Sequence, residues 1–395
     1  MLTLHQVPKL VFGPGALATA REDLAALGVQ RPLIITSPSN GVHAETLHPN
    51  AHIDDTTRTE PTVTHFETLI ATTREIKPDI IVGLGGGSPL DAAKLVAALA
   101  TARQPLADAF GIGKLCPRRL PLFCIPTTAG TGSEVSPNAV LLDEAEQMKK
   151  AVISPYLVPD AAFIDPALML TVPAHVTAAT GLDALTHCIE GYANNFAHPL
   201  VDTWALDGIR LIAASLATAV REPNNLEART DVARGSLYGG FCLGPVNTAA
   251  VHALSYPLGS RYHIPHGHAN AILLPHVFRF NISAAPERYA AIALALGATR
   301  QSTAEATAIA GIDRLWQLIE ATGLEMRLSE ILVDGLRIPE SAIPSLAASG
   351  LTVTRLLKNN PRAMTQQDAE SIYIAAFRAE RHSTTELSLL TSVSI

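Results

Sequence analysis

The stretch Ile80-Ile81-Val82-Gly83-Leu84-Gly85-Gly86-Gly87-Ser88-Pro89-Leu90-Asp91 decides the fold. A β-branched apolar run enters a row of glycines and leaves as a helical pattern over 89–102. Glycines let a chain turn sharply and come close to a ligand. Ser88 reads as the N-cap, Pro89 as the first helical residue and Asp91 as the third, which approximates a capping box. Free N–H groups at such a helix start, together with its dipole, favour a phosphate. Gly83 and Gly85 fit the G-x-G-x-x-G fingerprint, and Ser88 stands in its third glycine position. No Gly-Lys-Ser/Thr follows, which argues against an ATPase.

Working outward, short apolar runs alternate with helical patterns. Strands are expected at 9–12, 32–36, 80–84 and 122–125, and helices at 16–27, 66–75 and 89–102. Strands without period-2 alternation, separated by helices, imply a mostly parallel sheet covered on both faces. A second loop, Pro126-Thr127-Thr128-Ala129-Gly130-Thr131-Gly132-Ser133-Glu134, follows the strand at 122–125 and is dense in hydroxyls and accessible N–H groups. Ligands of open α/β sheets lie beyond the carboxyl ends of strands, where both loops fall.

The texture changes near residue 170, where Pro166 and Pro173 punctuate the chain. Ala/Leu/Ile-rich helical segments follow at 177–196, 200–220, 226–245 and 304–320, with no convincing strand. The expected organisation is an α/β dinucleotide-binding, Rossmann-like domain over 1–172 and an all-α domain over 173–395. The last twenty residues, ending in TELSLLTSVSI, read as a helix plus a tail. Over 395 residues, 48% are hydrophobic, 16% are charged and the net charge is −7. These values exclude a disordered chain and give no cation field for nucleic acid. Runs such as Leu211–Val220 fall short of the ~20 apolar residues that span a bilayer. Without a signal-peptide pattern, and with four cysteines in no C-x-x-C pair, a cytoplasmic chain with reduced thiols is expected.

Asp183 and His187 stand four apart on an expected helix and so share a face. His252, Tyr256, Tyr262, His263, His266 and His268 cluster further on. A buried histidine in an Ala/Leu-rich helix is costly unless paired or metal-bound. Asp183, His187 and two histidines of this cluster make a set that suits Fe2+, Zn2+, Ni2+ or Co2+ rather than Ca2+ or Mg2+. An open coordination position on such an ion polarises an alcohol or carbonyl oxygen.

With these residues in view, the chain resembles the iron-containing (group III) alcohol dehydrogenases over roughly residues 8 to 380. The resemblance rests on GGGSPLDAAK (Gly85–Lys94), PTTAGTGSEVSP (Pro126–Pro137), TGLDALTHCIEGY (Thr180–Tyr192), the run from His252 to Gly267, and NAILLPHV (Asn270–Val277). It implies the architecture shared with dehydroquinate synthases, with NAD or NADP lying against Gly85, Gly86, Gly87, Ser88, Asp91, Thr127, Thr128, Thr131 and Lys150. It also implies a divalent ion, Fe2+ foremost with Zn2+ or Ni2+ as substitutes, on Asp183, His187, His252 and His266. A small alcohol or aldehyde is the implied substrate, and a homodimer the implied assembly, with neither nucleic acid nor membrane as partner. Two departures stand out. Tyr256 replaces a histidine often proposed as proton relay, leaving that role to Tyr256, His263, His268 or bound water. Ser37 replaces an acidic residue that selects against the NADP phosphate. The segment IITSPSN (residues 34–40) also resembles the maleylacetate reductases, whose metal set is commonly incomplete; the alternative is therefore metal-free reduction of an unsaturated oxo-acid. Arg210, Arg234, Arg261 and Arg279 are the candidates for meeting a substrate carboxylate.

Overall fold

A computed structural model describes residues 2–58, 61–146, 148–333 and 335–381. Its first half runs β1 (Lys9–Phe12), α1 (Ala16–Ala26), β2 (Pro32–Ile35), α2 (Gly41–Leu47), β3 (His52–Asp54), α3 (Val63–Ile76), β4 (Ile80–Gly85), α4 (Gly87–Leu99), α5 (Leu106–Ala109), β5 (Gly111–Ile112), β6 (Leu122–Pro126), β7 (Asn138–Asp143), β8 (Met148–Ile153) and β9 (Ala161–Ile164). Six strands form a parallel sheet in the order β1-β9-β6-β4-β2-β3. Successive residues point to opposite faces, as the pleat requires. Leu33, Ile35, Ile81 and Leu122 meet α3 and α4 on one side. Ile34, Ile80, Val82, Phe123 and Ile125 meet α1 and α2 on the other. With both faces covered, β2, β4 and β6 read as unbroken apolar runs.

A second sheet, absent from the sequence reading, holds β5, β8 and β7, with β7 and β8 as an antiparallel hairpin. Its strands are only half-buried, and a charged turn separates them.

The second half is built on α6 (Ala174–Tyr192), α7 (Pro199–Arg221), α8 (Leu226–Leu243), α9 (Ala250–Tyr262), α10 (His266–Ile282), α11 (Pro286–Ala295), α12 (Ala304–Ala321), α13 (Ile343–Leu351), α14 (Thr354–Leu357) and α15 (Gln366–Arg378). A two-stranded ribbon, Leu332–Val333 with Leu336–Arg337, is an exception to its helical character. The expected segment TELSLLTSVSI lies outside the described residues. Helix α7 has the length and apolarity of a membrane span. Ile209, Ile212 and Leu216 are instead buried in the core shared with α6.

Candidate active site

The side of the site expected to take a nucleotide is the end of β4. Gly86, in extended conformation, is the N-cap of α4, and no side chain caps this helix. Ser88 therefore lies in the first turn and is not the expected cap. Asp91 does not close a capping box either. Its carboxylate accepts from Ser133 Oγ at 2.5 Å and Val140 N at 2.9 Å. It thereby ties α4 to the second loop and to β7. Lys94, fully buried, donates to the Ser133 carbonyl at 2.8 Å and the Asn138 carbonyl at 2.5 Å. The two expected loops thus form one surface. Thr127 N donates to Gly85 O at 2.9 Å. A β-carbon on Gly87 would stand 2.6 Å from Thr131 Cγ2, so only glycine permits this closeness. Ser37, past the end of β2, accepts from Asn40 Nδ2 at 2.9 Å and lies 3.1 Å from the Ser39 hydroxyl.

Lys150 ion-pairs with Asp143 and Glu146, each at 2.8 Å, on its own hairpin. Its neighbour Lys149 takes the other face of β8, as strand alternation requires, and lies 5.9 Å from the Tyr256 ring centroid.

The metal side is built by α6, α9 and α10. Asp183, His187 and Glu190 stand at i, i+4 and i+7 on α6, one face of one helix. Asp183 Oδ1 lies 3.7 Å from His187 Nε2, 3.5 Å from His252 Nε2 and 3.8 Å from His266 Nε2. The ligand atoms of Asp183, His187 and His252 all lie within 4.8 Å of one another. His266 begins α10, and Gly267 explains how that helix comes so near. A β-carbon there would be 2.2 Å from the Ala179 carbonyl and 3.1 Å from Asp183 Cβ.

Glu190 was not foreseen. Its carboxylate accepts from Ala249 N at 2.9 Å and Val251 N at 2.6 Å, satisfying N–H groups at the start of α9. It also lies 2.6 Å from His252 Nδ1. An imidazole that donates from Nδ1 presents Nε2 as ligand, the arrangement typical of metal-binding histidines. The i, i+4, i+7 spacing from Asp183 was the available signal.

Charge completes the description. Burial alone would raise the Asp183 carboxyl, but His187, His266 and His252 outweigh it and hold it well below the usual carboxylate range. Burial pushes His187 down to about 4, against the pull of Asp183. His266 is likewise driven down by burial. Burial would lower His252 too, yet Glu190 and Asp183 lift it to about 10, so that without a cation Nε2 carries a proton, which a metal ion displaces on binding. Asn270 Nδ2 donates to Asp183 Oδ1 at 2.7 Å and lies 3.2 Å from His252 Nε2 and 3.3 Å from His266 Nε2. One carboxylate oxygen and three ring nitrogens thus converge on a point that already draws a polar hydrogen donor. This donor set fits a borderline divalent cation.

Both sequence matches cover this framework. Residues 8–166 match the iron-containing alcohol dehydrogenase model, and residues 177–377 match the C-terminal model of the Fe-containing alcohol dehydrogenase family. The chain belongs to the iron-containing alcohol dehydrogenase family. A long-chain-alcohol dehydrogenase of Geobacillus thermodenitrificans is 37% identical over 390 residues, covering 94% of this chain and 97% of its own. A 1,3-propanediol dehydrogenase of Klebsiella pneumoniae is 36% identical over 381 residues, covering 93% and 96%. A crystal structure of a 1,3-propanediol oxidoreductase superposes with a TM-score of 0.90 at 33% identity, covering 95% of this chain and all of that one. This iron-containing alcohol dehydrogenase accordingly interconverts alcohols and aldehydes.

Of the three expected relay residues, only Tyr256 reaches the cluster. Its ring centroid is 5.9 Å from that of His266, and its hydroxyl accepts from Arg355 at 3.1 Å. His263 is an exposed residue in left-handed conformation at the end of α9. His268 lies 2.6 Å from the Glu325 carbonyl through Nε2. Two residues past His266 is about 200° around a helix, which turns His268 away from the ligand. Arg210 and Arg234 pair with Asp207 and Asp231 on their own helices, and Arg261 bonds Ser345. Arg279 lies thirteen residues beyond His266 on α10, about 20 Å along the axis.

Proposed function

We propose that this alcohol dehydrogenase transfers hydride between a small alcohol or aldehyde and NAD or NADP at one divalent ion, Fe2+ foremost, held by Asp183, His187, His252 and His266. The carrying observation is the convergence of three imidazole nitrogens on Asp183 Oδ1 at 3.5 to 3.8 Å. The second loop supports it, because a β-carbon on Gly130 would stand 2.7 Å from Thr180 Cβ, one turn before Asp183. The nucleotide surface and the ligand cluster are therefore neighbours.

When bound, the ion supplies Lewis acidity that acidifies a hydroxyl or polarises a carbonyl, and the nicotinamide supplies or accepts the hydride. The protein's own residues hold and orient. Glu190 fixes the tautomer of His252. His187 and His266 stay neutral through burial, which keeps their lone pairs available. Gly86 and Gly87 let Thr128 and Thr131 of the second loop lie against the start of α4, whose free N–H groups favour a pyrophosphate. Tyr256, with Arg355 on its hydroxyl, orients substrate, and the proton leaves through water at the half-exposed edge of His266.

We further propose a working division into an α/β domain over 1–172 and a helical domain over 173–395, a homodimeric assembly, and a cytoplasmic setting. Metal-free reduction of an unsaturated oxo-acid is the competing function; retention of the complete ligand set favours the metal-dependent one. A screen of short alcohols and aldehydes with NAD and NADP tests the proposal. Alcohol-dependent formation of reduced nicotinamide, abolished in His266→Ala together with bound metal, is expected. Full turnover in His266→Ala would overturn it.

A further inference from the structure

Beside Glu190 lies an internal space of about 10 Å3, which is room for one water. Its polar walls are Glu190 of α6, Asn281 of α10, Tyr289 of α11 and Asn360, which follows α14. All four residues are buried. Counting the hydrogen bonds among them leaves one donor and one acceptor over, on opposite partners.

The Arg362 carbonyl can only accept. It takes one hydrogen of the Asn360 amide at 2.6 Å and so fixes which way that amide faces. The other Asn360 hydrogen goes to Asn281 Oδ1 at 2.8 Å. Asn281 Nδ2 in turn gives one hydrogen to Asn360 Oδ1 at 2.8 Å and the other to the Tyr289 hydroxyl oxygen at 3.0 Å. Tyr289 is therefore an acceptor from Asn281, and its own O–H must donate elsewhere. Among the described residues, no protein group takes that hydrogen. Burial keeps the hydroxyl protonated, against the Asn281 hydrogen bond, and the Glu190 charge adds to this. On the facing wall, Glu190 Oε2 meets Ala249 N and His252 Nδ1, while Oε1 accepts from Val251 N alone. A carboxylate oxygen accepts two hydrogen bonds, so Oε1 has one place left. Leaving a buried hydroxyl hydrogen unmet is costly, and a water between the two groups removes that cost. The Asn281 and Asn360 amide oxygens, each accepting one bond so far, can take its second hydrogen.

We propose that one buried water occupies this space, accepting from the Tyr289 hydroxyl and donating to Glu190 Oε1, and that Tyr289 is thereby a positioning residue of the metal site. The inference rests on the metal-dependent reading above. Tyr289 acts through Glu190 and His252. A hydrogen bond on Oε1 fixes the carboxylate in the orientation that brings Oε2 to His252 Nδ1, and the ring then presents Nε2 as ligand. Each bond in such a chain polarises the next.

The test is a double-mutant cycle on full-length protein, with Tyr289→Phe, Glu190→Gln and the pair, each loaded with Zn2+ and titrated against a chelator. Tyr289→Phe keeps the ring that packs on Phe278 and removes only the hydroxyl. It should weaken Zn2+ binding by about 3- to 10-fold, less than a change in Glu190 itself. In the Glu190→Gln background the same substitution should cost little, because the group it acts through is already altered. The visible spectrum of the Co2+ form should shift in Tyr289→Phe, and binding of reduced nicotinamide nucleotide should persist as the check on folding. A crystal structure of the wild type should show the water within hydrogen-bonding distance of Tyr289 Oη and Glu190 Oε1. An equal loss of Zn2+ affinity in both backgrounds, no loss in either, or a space without water overturns the proposal. If the wild type holds no divalent ion, the metal-dependent reading fails, while a water lost in Tyr289→Phe would still uphold the buried site.

Discussion

The Glu190 carboxylate lies 2.6 Å from His252 Nδ1, while Nε2 of the same ring lies 3.5 Å from Asp183 Oδ1. Glu190 also holds the first N–H groups of α9, so one buried carboxylate fixes both the helix and the ligand it carries. Glu190→Gln keeps the volume and removes the charge. Outer-shell changes of this kind typically cost about 10- to 100-fold in metal affinity. Chelator competition should show such a loss; an unaltered affinity would mean that Glu190 serves only α9.

Gly87→Ala tests the nucleotide surface. The added methyl meets Thr131 Cγ2 at 2.6 Å, so the second loop must yield. Overpacking of this kind costs about 1–3 kcal/mol of stability. Fluorescence titration with reduced nicotinamide nucleotide should show weaker binding, with metal content retained.

Ser37→Asp tests cofactor choice. Ser37 puts no charge beyond the end of β2, where a 2′-phosphate would lie. A carboxylate there should lower kcat/KM for NADP relative to NAD by at least about tenfold through like-charge repulsion. An unchanged preference would show that the phosphate lies elsewhere.

The local motifs were legible because their chemistry is contiguous in the chain. Residues 80–91 announced the strand, the turn and the helix, and residues 180–190 placed Asp183 and His187 on one helix face. What failed needed either helical angle or distant partners. His268 looked like part of a histidine cluster, but two residues along a helix turn a side chain away. The cap at Ser88 was displaced because Gly86 begins α4 and Asp91 is drawn to Ser133 and Val140. Arg355 lies 99 residues from Tyr256 in sequence, and no pattern connects them. The β7–β8 hairpin escaped because its half-exposed strands resemble a polar loop.

Glu134 gives a pH prediction. It is 3% exposed, and burial pushes its carboxyl up from the ordinary 4.5 to about 7, against its backbone hydrogen bond and Lys94. A raised carboxyl favours the protonated fold. That contribution is complete below pH 4.5 and is lost as pH rises through about 7. Chemical denaturation of Glu134→Gln, which cannot ionise, should therefore gain on the wild type by about 3 kcal/mol between pH 4 and pH 8. A difference that does not vary with pH would contradict this assignment.

The central claim is that Asp183, His187, His252 and His266 hold one catalytic divalent ion. The most direct measurement is elemental analysis of protein purified without chelator, paired with turnover before and after metal removal. One divalent ion per chain is expected, with turnover lost on its removal and restored by Fe2+ or Zn2+. Undiminished turnover in protein stripped of metal would contradict the claim and favour the metal-free reductase.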